Sequence, residues 1–156
     1  MKLKKAKSLQ NWNIVFPNDA NSLGTMFGGK LMAMMDELGA IAASNYAQRQ
    51  VVTVSTDAIL FKNPVRIGDR INTQAKVVWV GRTSMIVKLD VYAENPSLGR
   101  SLEHCTTAHF TYVALDTKGK PTAVPPLKIV SEKEKKEYDI ATYIKQQALK
   151  RESLET

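Results

Sequence analysis

The chain has 156 residues, a formal charge of +7 and one cysteine, and 44% of its residues are hydrophobic. This length is typical of one domain, and a domain of this size buries roughly two thirds of its unfolded surface without disulfides or a structural metal. Cys105 has no partner for an internal bridge, and no stretch approaches the roughly 20 uninterrupted apolar residues of a membrane span, so disulfide scaffolds and integral membrane proteins are excluded.

The first predicted elements are a short strand near 13–16 and a long helix over 30–46. The helical segment consists almost entirely of Leu, Met, Ala, Ile and Gly and contains no proline, which is typical of a helix of about four to five turns. Gly24 and the pair Gly28-Gly29 precede it and predict a tight loop that approaches another group closely. Because apolar residues occupy every side of the helix, we expect the rest of the fold to surround it.

Four segments with alternating apolar and polar residues follow and predict strands. They run from 52 to about 60, over 71–79, over 85–93 and over about 101–115. Turn residues separate them, with Lys62-Asn63-Pro64 after the first and Gly81 after the second. The order of these segments predicts one buried helix followed by a four-strand antiparallel meander, which is an α+β fold.

The last part of the chain is predicted to form a charged helix. Prolines interrupt the chain after the fourth strand, and Ser131 and Glu134 beyond them have the spacing of a capping box. Four apolar side chains can line one side of this helix: Tyr138, Ile140, Ile144 and Ala148. We expect the helix to pack on the body of the protein or on a neighbouring subunit.

The excess of positive charge is concentrated near the two ends of the chain, where it is typical of solvated tails and helix faces. The interior cations form no dense cluster and do not alternate with aromatic residues. This pattern does not favour nucleic-acid binding, whereas a phosphorylated small molecule is compatible with it.

Asp36 is the most unusual polar residue of the long helix. Its neighbours three and four positions away are all apolar, namely Met32, Ala33, Gly39 and Ala40. An ionised carboxylate is costly to bury without a partner. Asp36 therefore has two possible roles. It either reaches solvent or a subunit interface, or it serves as a general base or nucleophile. For the adjacent Glu37 we expect the first of these, contact with solvent or a subunit interface.

A polar loop over 19–24 leads to the start of the helix at Gly28-Gly29. The first N–H groups of a helix have no partner within it, so this end suits an oxyanion or a phosphate. Asn21 can offer its amide to a carbonyl group or a water molecule, although an asparagine in a turn commonly serves only the turn.

The remaining reactive residues form no recognisable site. His104 and Cys105 are adjacent, so in a strand their side chains point to opposite faces and cannot act as a base and nucleophile pair. Two histidines and one cysteine lack metal-ligand spacing, and the glycine pair matches no nucleotide-binding fingerprint. The sequence predicts neither a metal nor a cofactor.

Several segments carry a family resemblance in the same order along the chain. They are 17–32 with Asp36 and Glu37, 52–61, 64–69, the turn 81–85, and 108–115 followed by Pro125. These segments resemble the hotdog-fold acyl-CoA thioesterases, in particular the cytosolic acyl-CoA hydrolase branch and its short bacterial homologues. The resemblance implies a long central helix wrapped by an antiparallel sheet, with one hotdog domain over 1–126 and a charged helical extension over 127–156.

The resemblance also implies hydrolysis of acyl-CoA to free CoA and a carboxylic acid, with CoA as part of the substrate. In the family an asparagine from one protomer and an aspartate from the central helix of the other form the site, and these correspond to Asn21 and Asp36. We expect the N–H of Gly29, with that of Gly28, to stabilise the oxyanion. Asp36 would activate a water or attack directly, and Asn21 would orient the water or polarise the carbonyl.

The phosphates of CoA are expected to meet surface cations of this chain. Arg82, in the turn after the second long strand, is the preferred contact, together with Thr83 and Ser84 of the same turn. Lys62 and Arg66 are further candidates for this role.

Other functions and the assembly follow from the same comparison. A hotdog protein that binds acyl-CoA as a sensor without turnover is the alternative, although such a protein needs neither Asn21 nor Asp36. A hotdog dehydratase is disfavoured because neither His104 nor His109 lies on the helix. Exposed strand edges need cover, so we expect at least a homodimer and favour a trimer of dimers. One cysteine and no secretory signal at Met1 predict a cytoplasmic protein.

Overall fold

The computed structural model describes residues 1–156, which form five strands and two long helices. In chain order they are β1 (Leu9–Ile14), α1 (Gly28–Ala47), β2 (Gln50–Thr56), β3 (Arg70–Val80), β4 (Ser84–Asn95), β5 (Arg100–Leu115) and α2 (Glu132–Glu155). Short 3-10 turns lie at Pro17–Asp19 and Pro96–Leu98. Neither long helix is both long enough and apolar enough to cross a membrane.

Helix α1 confirms the predicted long helix and starts two residues earlier, at Gly28. One side of it is buried against the sheet through residues that include Leu31, Met35, Leu38, Ala42 and Tyr46. The other side is open, since Ala33 and Glu37 are exposed and Ile41 is 51% exposed. The expectation of cover on every side is therefore wrong for the protomer, because one curled sheet reaches only part of the helix.

The strand order in the sheet is β1-β3-β4-β5-β2. Strands β3, β4 and β5 form the predicted meander, but β2 pairs with β5 instead of β3, so the four-strand meander is wrong. The predicted strand also ends early, at Thr56 instead of about 60. The 57–69 connection, which contains Pro64, is too long for a hairpin and runs past β5, where Asp57 N donates to His109 O and Lys62 N to Cys105 O.

The core lies between α1 and the inner face of the sheet. Opposite residues of β3 and β4, such as Val77 and Val87, and of β4 and β5, such as Met85 and Tyr112, point into it. Together with the buried side of α1 they belong to a cluster of 25 buried hydrophobic residues. This packing fixes α1 across the sheet.

Helix α2 covers part of the outer face. Ser131 Oγ accepts from Glu134 N at 3.1 Å, which is one half of the predicted capping box. The other half differs, because the Glu134 carboxylate accepts from Val130 N at 3.3 Å and not from Ser131 N. The fully buried Ala141 packs with Val78 and Ile86, and this contact is flanked by ion pairs of α2 with the sheet (Lys76 with Glu134 at 3.2 Å and Lys88 with Glu137 at 3.3 Å). The predicted apolar side is wrong at Ile140 and Ala148, which are exposed, because the contacting side is centred on Ala141.

The chain before β1 holds the C-terminal end of α1. Lys4 N donates to Pro126 O at 2.9 Å, and Lys4 Nζ donates to the Tyr46 carbonyl oxygen at 2.6 Å. The Tyr46 hydroxyl donates to Pro125 O at 2.8 Å. The far end of α1 is therefore fixed by contacts that are separate from those near Asp36.

Candidate active site

Asp36 lies on α1 where the helix faces β2 and β5, and it is half-buried. Its Oδ1 accepts hydrogen bonds from Thr53 Oγ1 at 2.7 Å and from the Tyr112 hydroxyl at 2.9 Å. No hydrogen bond within the protomer reaches its Oδ2. The carboxylate thus has one oxygen fixed by two hydroxyl groups and the other oxygen free to meet a ligand.

The two hydroxyl groups come together because of the sheet register. Thr53 of β2 lies directly opposite Tyr112 of β5, and residues opposite each other in an antiparallel pair project to the same face. Here that face is the one covered by α1. Burial raises the pKa of Tyr112 well above its usual range, and the hydrogen bond and charge of Asp36 add to the effect. Tyr112 therefore stays protonated and acts as a donor.

Asn21 organises the loop before α1. Its Oδ1 accepts from Leu23 N at 2.9 Å and from Thr25 N at 3.2 Å, and its Nδ2 donates to Thr25 Oγ1 at 2.9 Å. An asparagine amide carries two hydrogens, so one N–H of Asn21 is left for another partner. The turn role expected from sequence is present, and it still leaves a donor.

A second loop, residues 65–69 before β3, is hydrogen-bonded to the Asn21 loop. Met26 N donates to Val65 O at 2.7 Å and Ile67 N to Gly24 O at 3.1 Å. The second loop is itself fixed by Asp69, which is fully buried and binds Arg100 of β5 through both carboxylate oxygens at 2.7 and 3.1 Å. The position of Asn21 is therefore set by contacts that reach the sheet.

The start of α1 is open at Gly29. No side chain caps the helix, and a Cβ built on Gly29 would meet nothing within 4 Å. A Cβ on Gly28 would lie 3.2 Å from the Phe61 ring. Gly29 is thus exposed and Gly28 is half-buried, and the first N–H groups of the helix have no partner within it.

One protomer does not bring Asn21 and Asp36 together. No hydrogen bond joins them. Asp36 is eight residues beyond Gly28, which corresponds to about 12 Å along the helix axis, whereas Asn21 lies before the helix. A site that uses both residues needs a second copy of the chain.

The predicted phosphate contacts are also dispersed. Arg66 is exposed and pairs with Thr25 beside the Asn21 loop, and Lys62 is exposed next to β5. Arg82 is exposed in the β3–β4 turn, at the other end of β3 from Arg66, and the 11 residues of β3 span about 35 Å. In the same turn Thr83 O accepts from Ala114 N, and the side chain of Ser84 is buried.

His104 lies on the outer face of the sheet and has two side-chain hydrogen-bond partners. His104 Nε2 lies 3.0 Å from Asp90 Oδ1 and 2.9 Å from Thr107 Oγ1. The structure contains no group of three or more His, Cys, Asp or Glu side chains that could hold a metal ion.

Sequence reasoning missed Thr53 and Tyr112 as parts of the site. In the sequence each belongs only to a segment with strand-like alternation. They lie next to each other because β2 pairs with β5. The signal available was Thr53, a hydroxyl side chain between Val52 and Val54 in an alternating segment.

Apolar side chains are exposed around this site. Val52 and Val54 of β2 are 44% and 52% exposed, and Ile41 lies on the open side of α1. β2 is also an edge strand with unpaired backbone groups. Apolar patches and free strand edges of this kind are typical of surfaces that another chain covers.

The fold and the site define a class of protein, and comparison with known proteins identifies it. The model of the Thioesterase superfamily matches residues 23–100, which is half of the chain. The chain belongs to this superfamily and has its hotdog fold. The sequence of the uncharacterized acyl-CoA thioester hydrolase YkhA of Bacillus subtilis (strain 168) is 40% identical over 71% of this chain, and the match covers 64% of that relative. The acyl-CoA thioester hydrolase YciA of Escherichia coli (strain K12) is 38% identical over 72% of this chain and 86% of its own length.

Solved structures are similar over nearly the whole chain. An apo-hexameric acyl-CoA thioesterase has a TM-score of 0.92, 35% identity and 99% coverage of both chains. An acyl-CoA hydrolase from Staphylococcus aureus, in complex with butyryl coenzyme A, coenzyme A and coenzyme A disulfide, has a TM-score of 0.85 and 35% identity, with 95% of this chain and 90% of the other covered.

Alanine variants of the S. aureus enzyme are also known. They replace an asparagine, an aspartate 15 residues later and a threonine 17 residues after that. Asn21, Asp36 and Thr53 have the same residue types at the same spacing in this chain. These three residues of the candidate site thus match the three that were replaced in a relative.

Proposed function

We propose that this protein hydrolyses acyl-CoA thioesters to free CoA and a carboxylic acid at sites shared between two copies of the chain. The observation that carries the proposal is the Asp36 carboxylate, with Oδ1 fixed by two hydroxyl groups and Oδ2 free. The names of the relatives support the substrate class.

In the proposed reaction, Asp36 acts as a general base. Oδ2 takes a proton from a water molecule, and the water oxygen forms a bond to the thioester carbonyl carbon. The C–S bond then breaks, and the CoA sulfur leaves with the proton held by Asp36. Direct attack by Oδ2 would instead give a mixed anhydride. A single turnover in ¹⁸O-labelled water tests this route, because attack of water on the aspartyl carbon of the anhydride would leave an unlabelled enzyme oxygen in the carboxylic acid, whereas the general-base route always places a water oxygen there.

The carbonyl oxygen is expected at the open start of α1. There the N–H of Gly29, with that of Gly28, stabilises the negative charge that develops on the oxygen. The free N–H of Asn21 orients the water or polarises the carbonyl group. Because Asn21 and Asp36 are apart in one protomer, we assign them to different protomers of a dimer.

The dimer is proposed to form along β2 and the open side of α1. This arrangement would cover Val52, Val54 and Ile41 and complete the free edge of β2. We propose three such dimers in a hexamer, in line with the similarity to a hexameric thioesterase.

The phosphates of CoA would meet cations from both copies of the chain. The candidates are Arg82 (beside Thr83 and Ser84), Lys62 and Arg66. The proposed reaction needs no cofactor.

The proposal is tested by following thiol release from acyl-CoAs of short to long chain. Asp36→Asn removes the base and keeps the shape of the side chain, so we expect a loss of kcat of about 100- to 10,000-fold. Asn21→Ala is expected to lose turnover as well. Glu152→Gln is the control, because Glu152 is an exposed carboxylate on α2, away from the open side of α1, and its kcat should stay within about twofold of wild type. Wild-type protein that binds acyl-CoA without releasing thiol would support the sensor instead.

A further inference from the structure

Tyr112 is the one donor to Asp36 that comes from the interior of the protein. It is fully buried in β5, and its hydroxyl lies 2.9 Å from Asp36 Oδ1 and 3.0 Å from the backbone carbonyl oxygen of the same residue. Thr53, the other donor, is exposed. The hydrogen bond from Tyr112 to Asp36 therefore does not depend on solvent or on a second copy of the chain.

The Tyr112 hydroxyl reaches α1 only because residue 39 is glycine. A Cβ on Gly39 would overlap the Tyr112 hydroxyl oxygen and would also lie 3.1 Å from Tyr112 Cζ. Gly39 follows Asp36 by one helical turn, so it lies on the same side of α1. A glycine inside a helix costs about 1 kcal/mol relative to alanine, and this contact gives a physical reason for its presence.

We propose that Tyr112 is a positioning residue for the reaction, which holds Oδ1 of Asp36 so that Oδ2 faces the substrate, and that Gly39 provides the space its hydroxyl requires. The inference rests on the proposed role of Asp36 as the base. Because burial keeps the phenol protonated, Tyr112 donates at any pH at which the enzyme works. It does not exchange protons with the substrate.

The first test is Tyr112→Phe, which removes only the hydroxyl oxygen. A hydrogen bond to a charged group has a strength that predicts a fall in kcat of about 10- to 100-fold. KM should stay within about twofold, because Tyr112 is buried and does not meet the substrate. Tyr46→Phe is the matched control, since it removes another tyrosine hydroxyl bound to a carbonyl oxygen, at the far end of α1, and it should keep the wild-type kcat.

The second test measures the coupling between the two residues. Gly39→Ala is expected to lower kcat in the wild-type background, because the new methyl group displaces the Tyr112 hydroxyl. In the Tyr112→Phe background the same substitution should lower kcat by less than about threefold, since the hydroxyl is already absent.

Three results would overturn the inference. They are a wild-type kcat for Tyr112→Phe while Asp36→Asn is inactive, an equal loss of kcat in Tyr46→Phe and Tyr112→Phe, and an equal cost of Gly39→Ala in both backgrounds. A different result, full activity of Asp36→Asn, would contradict the proposed function itself. The two failures are therefore distinguishable.

Discussion

At the scale of single residues, the site depends on how one carboxylate is held. Asp36 is in the middle of a helix among apolar neighbours, and its partners come from two adjacent strands. The two hydroxyl donors to Oδ1 restrict rotation of the carboxylate. A base that is already oriented loses less entropy when the substrate binds.

Thr53 offers a direct test of this arrangement. Thr53→Val keeps the shape of the side chain and removes the 2.7 Å hydrogen bond to Asp36, so we expect kcat to fall about 10-fold. Thr56→Val is the matched control on the same strand, because its hydroxyl donates to Asp57 O and not to Asp36. Steady-state thiol release from one acyl-CoA measures both variants, and equal kcat values for the two would contradict the assignment of Thr53.

The buried ionisable residues predict how stability depends on pH. Burial raises the pKa of Cys105 to about 11 and that of Tyr46 to about 12, and it raises the pKa of Tyr112 further. The folded state therefore keeps protons that the unfolded chain releases above pH about 9. The free energy of unfolding should change little between about pH 7.5 and 9 and should fall as the pH rises from about 9 to 11, by up to about 1.4 kcal/mol per pH unit for each group.

Urea unfolding at a series of pH values from 7.5 to 10.5 measures this effect. Cys105→Ala removes the group that titrates first, so its stability should fall less steeply between about pH 9 and 10 than that of wild type. A free energy of unfolding that stays constant or increases over this range would show that the thiol and the phenols are not buried as described.

The sequence was sufficient to single out Asp36 but not its surroundings. A carboxylate among apolar helix neighbours is visible without any structure. Thr53 and Tyr112 are 59 residues apart in the chain, and only the pairing of β2 with β5 places them opposite each other. Local patterns do not contain the order of strands in a sheet, so this part of the site could not be predicted.

At the scale of elements, α1 and the strands β3 to β5 followed from periodicity, and β2 shows the limit of that method. Its alternation of Val52 and Val54 with Thr53 suggests an apolar side turned to the core. The structure places Thr53 toward α1 and leaves the valines exposed. Alternation alone cannot distinguish a side that meets the core from one that meets another chain.

The docking of α2 gives a prediction at this scale. Ala141 is fully buried against Val78 and Ile86, so Ala141→Arg should force the helix away from the outer face and cost about 2–4 kcal/mol of unfolding free energy. Gln147→Arg places the same charge on an exposed position of the helix and should change stability by less than about 0.5 kcal/mol. Urea unfolding compares the two, and equal stabilities would contradict this docking.

At the scale of the whole molecule, the single chain has two features that support the proposed shared site. It separates Asn21 from Asp36, and it leaves the edge of β2 and the apolar residues around it uncovered. A second copy of the chain that packs on the edge of β2 would cover these apolar residues. It would also bring its own Asn21 close to Asp36, because this surface lies beside the Asp36 carboxylate. Assembly and activity are therefore expected to depend on each other.

The most direct measurement of this account is complementation between two inactive variants. Asp36→Asn and Asn21→Ala chains are produced together with different tags, and assemblies that carry both tags are isolated. In a mixed dimer one site contains an intact Asn21 from one chain and an intact Asp36 from the other, whereas the second site contains both substitutions. We predict that thiol release from acyl-CoA recovers up to about half of the wild-type rate, while each variant alone stays inactive. Mixed assemblies as inactive as their parents would contradict a site shared between protomers.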